Sequence, residues 1–283
     1  MKRLTALIMI TVLLTGFLTG CKKKDKGDPP VIPPVESMEI DFRNFEYSGK
    51  SGDAAVPGLK GIENSNWVFA AGVAMIWKGV IVTSVAVPAT ALKAALTRTP
   101  VYLDNKKWQW TYNVTVSVNQ VSTTYKARLT GQIQTNSVVW EMYISREGAG
   151  AFPEFLWFSG TSKPDASSGQ WTVNHSSQYP EPVFQIDWIK SGATVGKITF
   201  TYVRALNNQR VPDPFKTSYI EYGTAAGNLN AYYKVYYKNE QGFASVDVEW
   251  STAGKHGRVR SVAWFGNPDW YCWDENYVNI SCQ

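Results

Sequence analysis

The chain has 283 residues, a formal net charge of +5, three cysteines and two histidines. The charge is concentrated at the start: Lys2, Arg3, Lys22, Lys23, Lys24 and Lys26 supply six positive charges, and Asp25 with Asp28 removes two. The rest therefore carries about +1. A nucleic-acid-binding body needs a basic face, and this composition excludes one.

Residues 1–20 read MKRLTALIMITVLLTGFLTG. Lys2 and Arg3 precede an apolar run from Leu4 to Leu18, the pattern of a secretory signal and too short for a spanning helix. The run ends Leu18-Thr19-Gly20-Cys21. This resembles the lipobox of bacterial lipoproteins, in which a small residue precedes the cysteine that takes the lipid. The resemblance implies diacylglyceryl attachment to Cys21, cleavage before it, and anchoring to a membrane through acyl chains. Lys22 stands where an aspartate would retain such a protein at the inner membrane, so the resemblance implies outer-membrane delivery, facing either the periplasm or the surface.

Residues 21–37 then read as a Lys/Pro-rich tether, with Pro29, Pro30, Pro33 and Pro34 favouring a stiff polyproline II spacer. Residues 38–283 are expected to form one β-rich domain. Within it, 62–98 is the helical part. Phe69, Val73, Ile76, Trp77 and Val80 fit one helix face, and Asn64, Ser65 or Asn66 supplies a cap. Pro88 suits the first turn of a second helix that ends before Pro100, giving a helical hairpin. Trp67 to Val87 is long enough to span a bilayer, but Lys78 in its middle favours a helix covered by the concave face of a sheet.

From residue 108 the chain alternates with period two, the mark of strands with one buried face. Trp108, Trp110, Tyr112, Val114, Val116 and Val118 share one face, and Ala127, Leu129 and Ile133 follow in the next run. Val138, Trp140, Met142 and Ile144 repeat the pattern. Further runs near 154–161, 169–174, 183–190, 196–204, 217–223, 230–238, 243–251 and 257–265 bring the count to about eleven. No helical pattern intervenes, so the expected architecture is mainly β (α+β): an antiparallel meander forming a barrel or half-barrel with the helical hairpin packed on it. Trp157-Phe-Ser-Gly160, Trp188-Ile-Lys-Ser-Gly192 and Trp250-Ser-Thr-Ala-Gly254 read as repeated strand ends. Gly169, Gly196 and Gly257 precede the strands that follow.

Cys272 and Cys282 are the thiols left after Cys21, and an exported chain permits their disulfide. The motifs of serine hydrolases, zinc proteases, phosphate loops and dinucleotide sites are absent from the sequence, and no cofactor or metal is expected. His175 and His256 read as turn residues. Glu141, Asp187, Glu221, Asp247 and Glu249 are the candidates for a paired-carboxylate glycosidase, yet the alternation places them on the wet face of the sheet. Asp269, Asp274 and Glu275 match no calcium loop. Asn113, Asn174 and Asn279 begin N-x-S/T triplets.

The aromatic content is the unusual signal: twelve Trp, fifteen Tyr and twelve Phe. Tyr232, Tyr233, Tyr236 and Tyr237 occupy both faces of one strand, and Trp264, Phe265, Trp270, Tyr271 and Trp273 crowd the C-terminal end. The layout resembles the lipid-carrying lipoproteins of bacterial envelopes in architecture, without a shared motif. The leading expectation is a membrane-anchored lipoprotein that binds an apolar or amphipathic ligand. A glycan- or protein-binding surface lipoprotein using exposed aromatics is the alternative, and a glycoside hydrolase-like enzyme the third.

Overall fold

A computed structural model describes residues 26–46, 65–118, 121–239 and 242–282. The signal and Cys21 lie outside the described residues. One long helix, α1 (Asn66–Ala95), precedes the sheet. The strands are β1 (Val101–Tyr102), β2 (Lys107–Val118), β3 (Val121–Ile133), β4 (Val138–Arg146), β5 (Phe152–Ser162), β6 (Ser168–Asn174) and β7 (Pro182–Ser191). They continue as β8 (Thr194–Tyr202), β9 (Tyr219–Thr224), β10 (Ala231–Asn239), β11 (Gly242–Trp250) and β12 (Gly257–Arg260). A single helical turn, α2 (Val262–Phe265), separates β12 from β13 (Tyr271–Trp273) and β14 (Asn279–Ile280). All fourteen form one antiparallel sheet in chain order, each hydrogen-bonded to its sequence neighbours.

The alternation found in the sequence is the register observed. Trp110 pairs with Leu129, Leu129 with Met142, and Met142 with Phe158, and all four are buried on one face. The opposite face carries rungs such as Thr115–Thr124 (2.9 Å) and the bidentate Arg128–Glu154 pair (2.6 and 2.9 Å). The sheet is open, so the closed-barrel expectation is corrected: β1 and β14 remain its two edges. The run expected over 257–265 stops at Arg260, where α2 begins, and β1, β13 and β14 are additional strands of only two or three residues. Runs that short carry too few alternations to be read from sequence.

The helical hairpin is likewise corrected to a single helix that continues through Pro88. Its cap is Ser65, whose side chain accepts from the Val68 amide at 3.2 Å. A proline inside a helix costs about 3 kcal/mol. Here Pro88, Ala89, Ala91, Leu92 and Ala95 are all buried beyond it, and that packing offsets the lost hydrogen bond. The packed stripe is Trp67, Ala70, Ala71, Ala74, Ile81 and Val85, whereas Ile76 and Val80 point to solvent. Of the face that periodicity selects, Phe69, Val73 and Trp77 are half-buried against the core, and Ile76 and Val80 are not. Ala70, Ala71 and Ala74 share the buried side with the large Trp67, Ile81, Val85 and Leu92.

The helix meets β12 and β13 at its start and β2 at its end. The Trp67 ring stacks on Tyr277 at 4.2 Å, and the Tyr112 hydroxyl donates to the Ala91 carbonyl at 2.5 Å. Those two points lie about 36 Å apart along the helix at 1.5 Å per residue. In a flat sheet, β2 and β13 would be about 53 Å apart at roughly 4.8 Å per strand. The sheet therefore bends around the helix.

Residues 26–46 cross the same concave face. Pro30 sits against Gly131, and the Ser37 hydroxyl accepts from Trp171 Nε1 at 3.0 Å. The Tyr233 hydroxyl donates to the Asp41 carbonyl, and Phe45 packs edge-on against Trp250 at 4.9 Å. This strap carries one 3-10 turn at Val35–Met38 and another at Arg43–Phe45. Within the stretch read as a spacer, Pro30, Pro33 and Ser37 are buried, while Val31 and Glu36 are exposed.

Glycine spacing has a different cause from the one expected. Gly192 and Gly254 lie in turns, but Gly160 lies inside β5. A Cβ on Gly160 would stand 2.5 Å from the Trp171 ring, on Gly169 2.8 Å from Trp188, and on Gly257 2.4 Å from Trp273. Each indole lies across a glycine of the neighbouring strand. Here glycine is required for space, not for backbone conformation.

Candidate functional site

A groove of about 360 Å³ lies between α1, the strap and the end of β2. Its floor is Met38, Ile40, Phe42, Ile81, Val85, Ala89 and Val116; Val82, Ala86 and Thr90 form its helical wall. The floor residues are buried, whereas Val82 is exposed, so the groove opens along the helix. The charged groups beside it are Glu39, Glu46 and Lys78. Lys78 Nζ lies 2.6 Å from Glu46 Oε1. Both are partly exposed, so the pair contributes less than about 1 kcal/mol to stability and costs little to open. Desolvation raises the Glu39 carboxyl above its usual range, the neighbouring Glu36 adds to this, and Lys93 opposes it. The groove thus has an apolar floor and a charged edge, the arrangement that suits an amphiphile.

There are two other depressions. One of about 470 Å³ is bordered by Thr161, Gln170, Asp187, Lys197 and Thr199 together with Trp188 and Ile189. The other, about 390 Å³, is bordered by Asn228, Tyr232, Glu249 and Arg258.

Each candidate carboxylate has a partner on the convex face. Asp187 accepts from Gln170 at 2.6 Å and from Gln185 at 3.0 Å. Glu221 accepts from the Tyr232 hydroxyl at 3.1 Å. Asp247 pairs with Arg260 and Glu249 with Arg258. Glu141 lies 3.5 Å from Lys107 Nζ. His175 Nδ1 lies 3.1 Å from Ser176 Oγ, and desolvation lowers the ring's pKa. His256 sits in the β11–β12 turn. The Asp274 carboxylate accepts from the amides of Asn276 and Val278, which fixes its own loop. Among the described residues, no three His, Cys, Asp or Glu side chains are grouped to hold a metal.

Two of the triplet asparagines have structural partners: Asn174 donates to the Leu156 carbonyl, and Asn279 accepts from the Asn66 amide. The sulfurs of Cys272 and Cys282 are at bonding distance, with Cα atoms 5.3 Å apart. The tyrosines of β10 divide between faces. Tyr233 is buried, while Tyr236 stacks between Tyr219 (5.5 Å) and Phe243 (5.0 Å) on the convex side. Trp270 lies under two guanidinium groups, Arg258 at 4.3 Å and Arg260 at 4.5 Å. Trp273 is core, its Nε1 donating to the Lys255 carbonyl.

Sequence reasoning missed the strap's share of the groove. Its signal was present in Met38, Ile40 and Phe42, an alternation three members long beside a proline-rich stretch. Compared with known proteins, the chain matches no family model, no curated protein and no solved structure.

Proposed function

We propose that this chain is a lipid-anchored envelope protein whose body binds one apolar or amphipathic ligand in the groove beside α1. The observation that carries the reading is the groove itself: a buried apolar floor of strap, helix and β2, bordered by Lys78 and Glu46. Its volume of about 360 Å³ falls within the roughly 300–1,000 Å³ usual for small-ligand sites. We further take the bent sheet to be a half-barrel, a reading supported by one helix touching strands near both edges. The ligand's apolar part would lie along Ile81, Val85 and Ala89, and its polar end would meet Lys78, Glu46 and Glu39.

The test is saturable binding of an apolar fluorescent dye, competed by a single-chain lysophospholipid. Ala86→Trp, which fills the groove from its open side, should abolish binding while leaving the fold intact. Saturable binding that survives Ala86→Trp, or none in the parent chain, would refute the site.

The anchor rests on Leu18-Thr19-Gly20-Cys21. Cys21→Ser should abolish incorporation of labelled acyl chains and release the protein from membranes, or leave it as an uncleaved precursor. Unchanged labelling would refute it. A glycan- or protein-binding role is favoured by one observation, the convex ladder of Tyr219, Tyr236 and exposed Phe243. Tyr236→Ala separates the two readings: it would weaken a partner on the ladder and leave the groove untouched.

A further inference from the structure

We propose that the end of the sheet where the even-numbered strands finish docks on a lipid surface bearing anionic head groups, from which the amphiphile enters the groove. The entry step rests on the groove reading above; the docking does not.

In an antiparallel meander every connection from an even to an odd strand lies at one end. That end carries exposed large apolar groups on connection after connection. Val121 is 67 % exposed where β3 opens, and Phe215, between β8 and β9, is 57 % exposed. Phe243, near the start of β11, is 57 % exposed, and Trp264, on α2, is 67 % exposed. Among the described residues, the opposite end exposes Leu103, Ile189 and Val278, but no phenylalanine or tryptophan.

The helix completes the rim. Phe69 stacks on Trp264 at 4.7 Å, and Ile81 and Val85 line the groove with Val116 near the end of β2. The turns between them, with Met75, Ile76 and Val80 exposed, therefore lie at this same end. Apolar surface of this kind, gathered around the mouth of a groove, marks a docking site.

Cations that stand beside the exposed apolar groups point to the occupant. Among the described residues, Glu147 is matched by Lys126, Glu181 by Arg204 and Arg210, and Glu46 by Lys78, whereas Asp269 on the β12–β13 connection and Glu39 at the groove edge have no cation within ion-pair distance. Asp213 accepts from the Tyr202 hydroxyl at 2.8 Å. Among the described residues, Arg146, Lys216 and Lys238 have no carboxylate within ion-pair distance. Lys216 follows Phe215, Arg146 pairs across the strands with Phe152, and Lys238 Nζ lies 5.6 Å from the Phe243 ring. Large apolar groups beside unmatched cations fit the acyl boundary and the anionic head groups of a lipid leaflet.

The chain's own path separates this surface from its anchor. Lys26 Nζ lies 5.7 Å from the Tyr102 ring, at the opposite end of the sheet. The five residues back to Cys21 reach at most about 17 Å. The twelve residues of β2 span about 40 Å. A lipid on Cys21 would hold the far end, leaving the mouth to meet a second lipid surface.

The experiment uses residues 21–283 carrying Cys21→Ser, mixed with vesicles of phosphatidylcholine with or without phosphatidylglycerol and separated by flotation. Binding should require phosphatidylglycerol and weaken as salt rises. Each unmatched cation should add about fivefold to partitioning. The double variant Lys216→Glu with Lys238→Glu should therefore lose at least about 25-fold, and Phe215→Ser with Trp264→Ser should also float poorly. Leu103→Ser with Ile189→Ser, at the other end, should bind like the parent. No flotation at low salt, or equal loss in the Leu103/Ile189 variant, overturns the proposal. So does a dimer in light scattering that the Phe215/Trp264 variant dissolves while vesicles leave it intact. Ala86→Trp keeps flotation under this proposal, so a failed groove and a failed docking end are told apart.

Discussion

One substitution, Gly→Ala, should change stability in opposite directions at two places in this molecule. At Gly257 a Cβ would stand 2.4 Å from Trp273 Cζ2, 2.5 Å from the Glu249 carbonyl oxygen and 2.9 Å from Trp250 Cβ. The carbonyl belongs to the β11–β12 ladder and cannot withdraw without breaking the pairing, and Trp273 is fully buried. Overpacking of this kind costs about 1–3 kcal/mol, and contact with backbone puts it near the top of that range. At Gly79 a Cβ meets nothing within 4 Å. Glycine in a helix interior is about 1 kcal/mol worse than alanine, so Gly79→Ala should stabilise by about that amount. For a domain of this size 1 kcal/mol moves Tm by roughly 2–4 °C. Gly257→Ala should then melt about 6–12 °C lower and Gly79→Ala about 2–4 °C higher. Thermal unfolding followed by near-ultraviolet circular dichroism measures both. A neutral Gly257→Ala, or a Gly79→Ala that destabilises to a similar extent, would refute the claim that space governs one glycine and helix propensity the other.

Ser37→Ala should destabilise by about 1–3 kcal/mol, read from a urea midpoint, because it leaves the buried Trp171 indole N–H without its acceptor; a change under a few tenths would show the strap is not bound this way. Cys272→Ser with Cys282→Ser should cost about 2.8 kcal/mol from loop entropy over this short span, and the unfolded, unreduced parent should contain no free thiol at these positions. Burial raises Tyr112, Tyr233 and Tyr202, the last to about 12, so the fold binds more protons than the unfolded chain above the ordinary value of 10.0. That stability is fully present below pH 10 and is lost as pH rises through the folded values. Titration at the phenolate absorbance should show a fraction of tyrosines ionising only when the fold opens, and uniform ionisation near pH 10 would contradict this.

The sheet was legible because its register writes itself into period two: Trp108, Trp110, Tyr112, Val114 and Val116 are all buried as the alternation implied. Meander order followed from the lack of any helical pattern between strands. Closure did not follow, because whether a sheet ends in a barrel depends on its two edge strands, and β1 and β14 are two residues each. The helix was legible in position but not in orientation. Pro88 reads as a boundary by local rules, yet the burial of Leu92 and Ala95 beyond it carries the helix through. The groove was illegible, since it needs Phe42, Ile81 and Val116 together, three residues whose sequence separation no periodicity links.

The long helix ties these observations together. The 30-residue helix buries Trp67, Ile81, Val85 and Leu92 together with its alanines, yet leaves Met75, Ile76, Val80 and Val82 exposed. Burying a residue of that size is worth about 1.5–3 kcal/mol, so each exposed one is stabilisation the fold forgoes. Trp140, Trp171, Trp188 and Trp250 already fill much of the interior. The strap and helix stand apart along Ile40, Phe42 and Val85, and the groove is that separation. Moving the bulk inward, for example Ala74→Leu with Ile76→Ala, should therefore destabilise the fold even though total apolar volume is kept. Ala74 is buried against a filled interior, and added methylenes there cost about 1–3 kcal/mol. A double variant as stable as the parent, measured by urea unfolding, would mean the interior has spare volume and that the helix orientation has another cause.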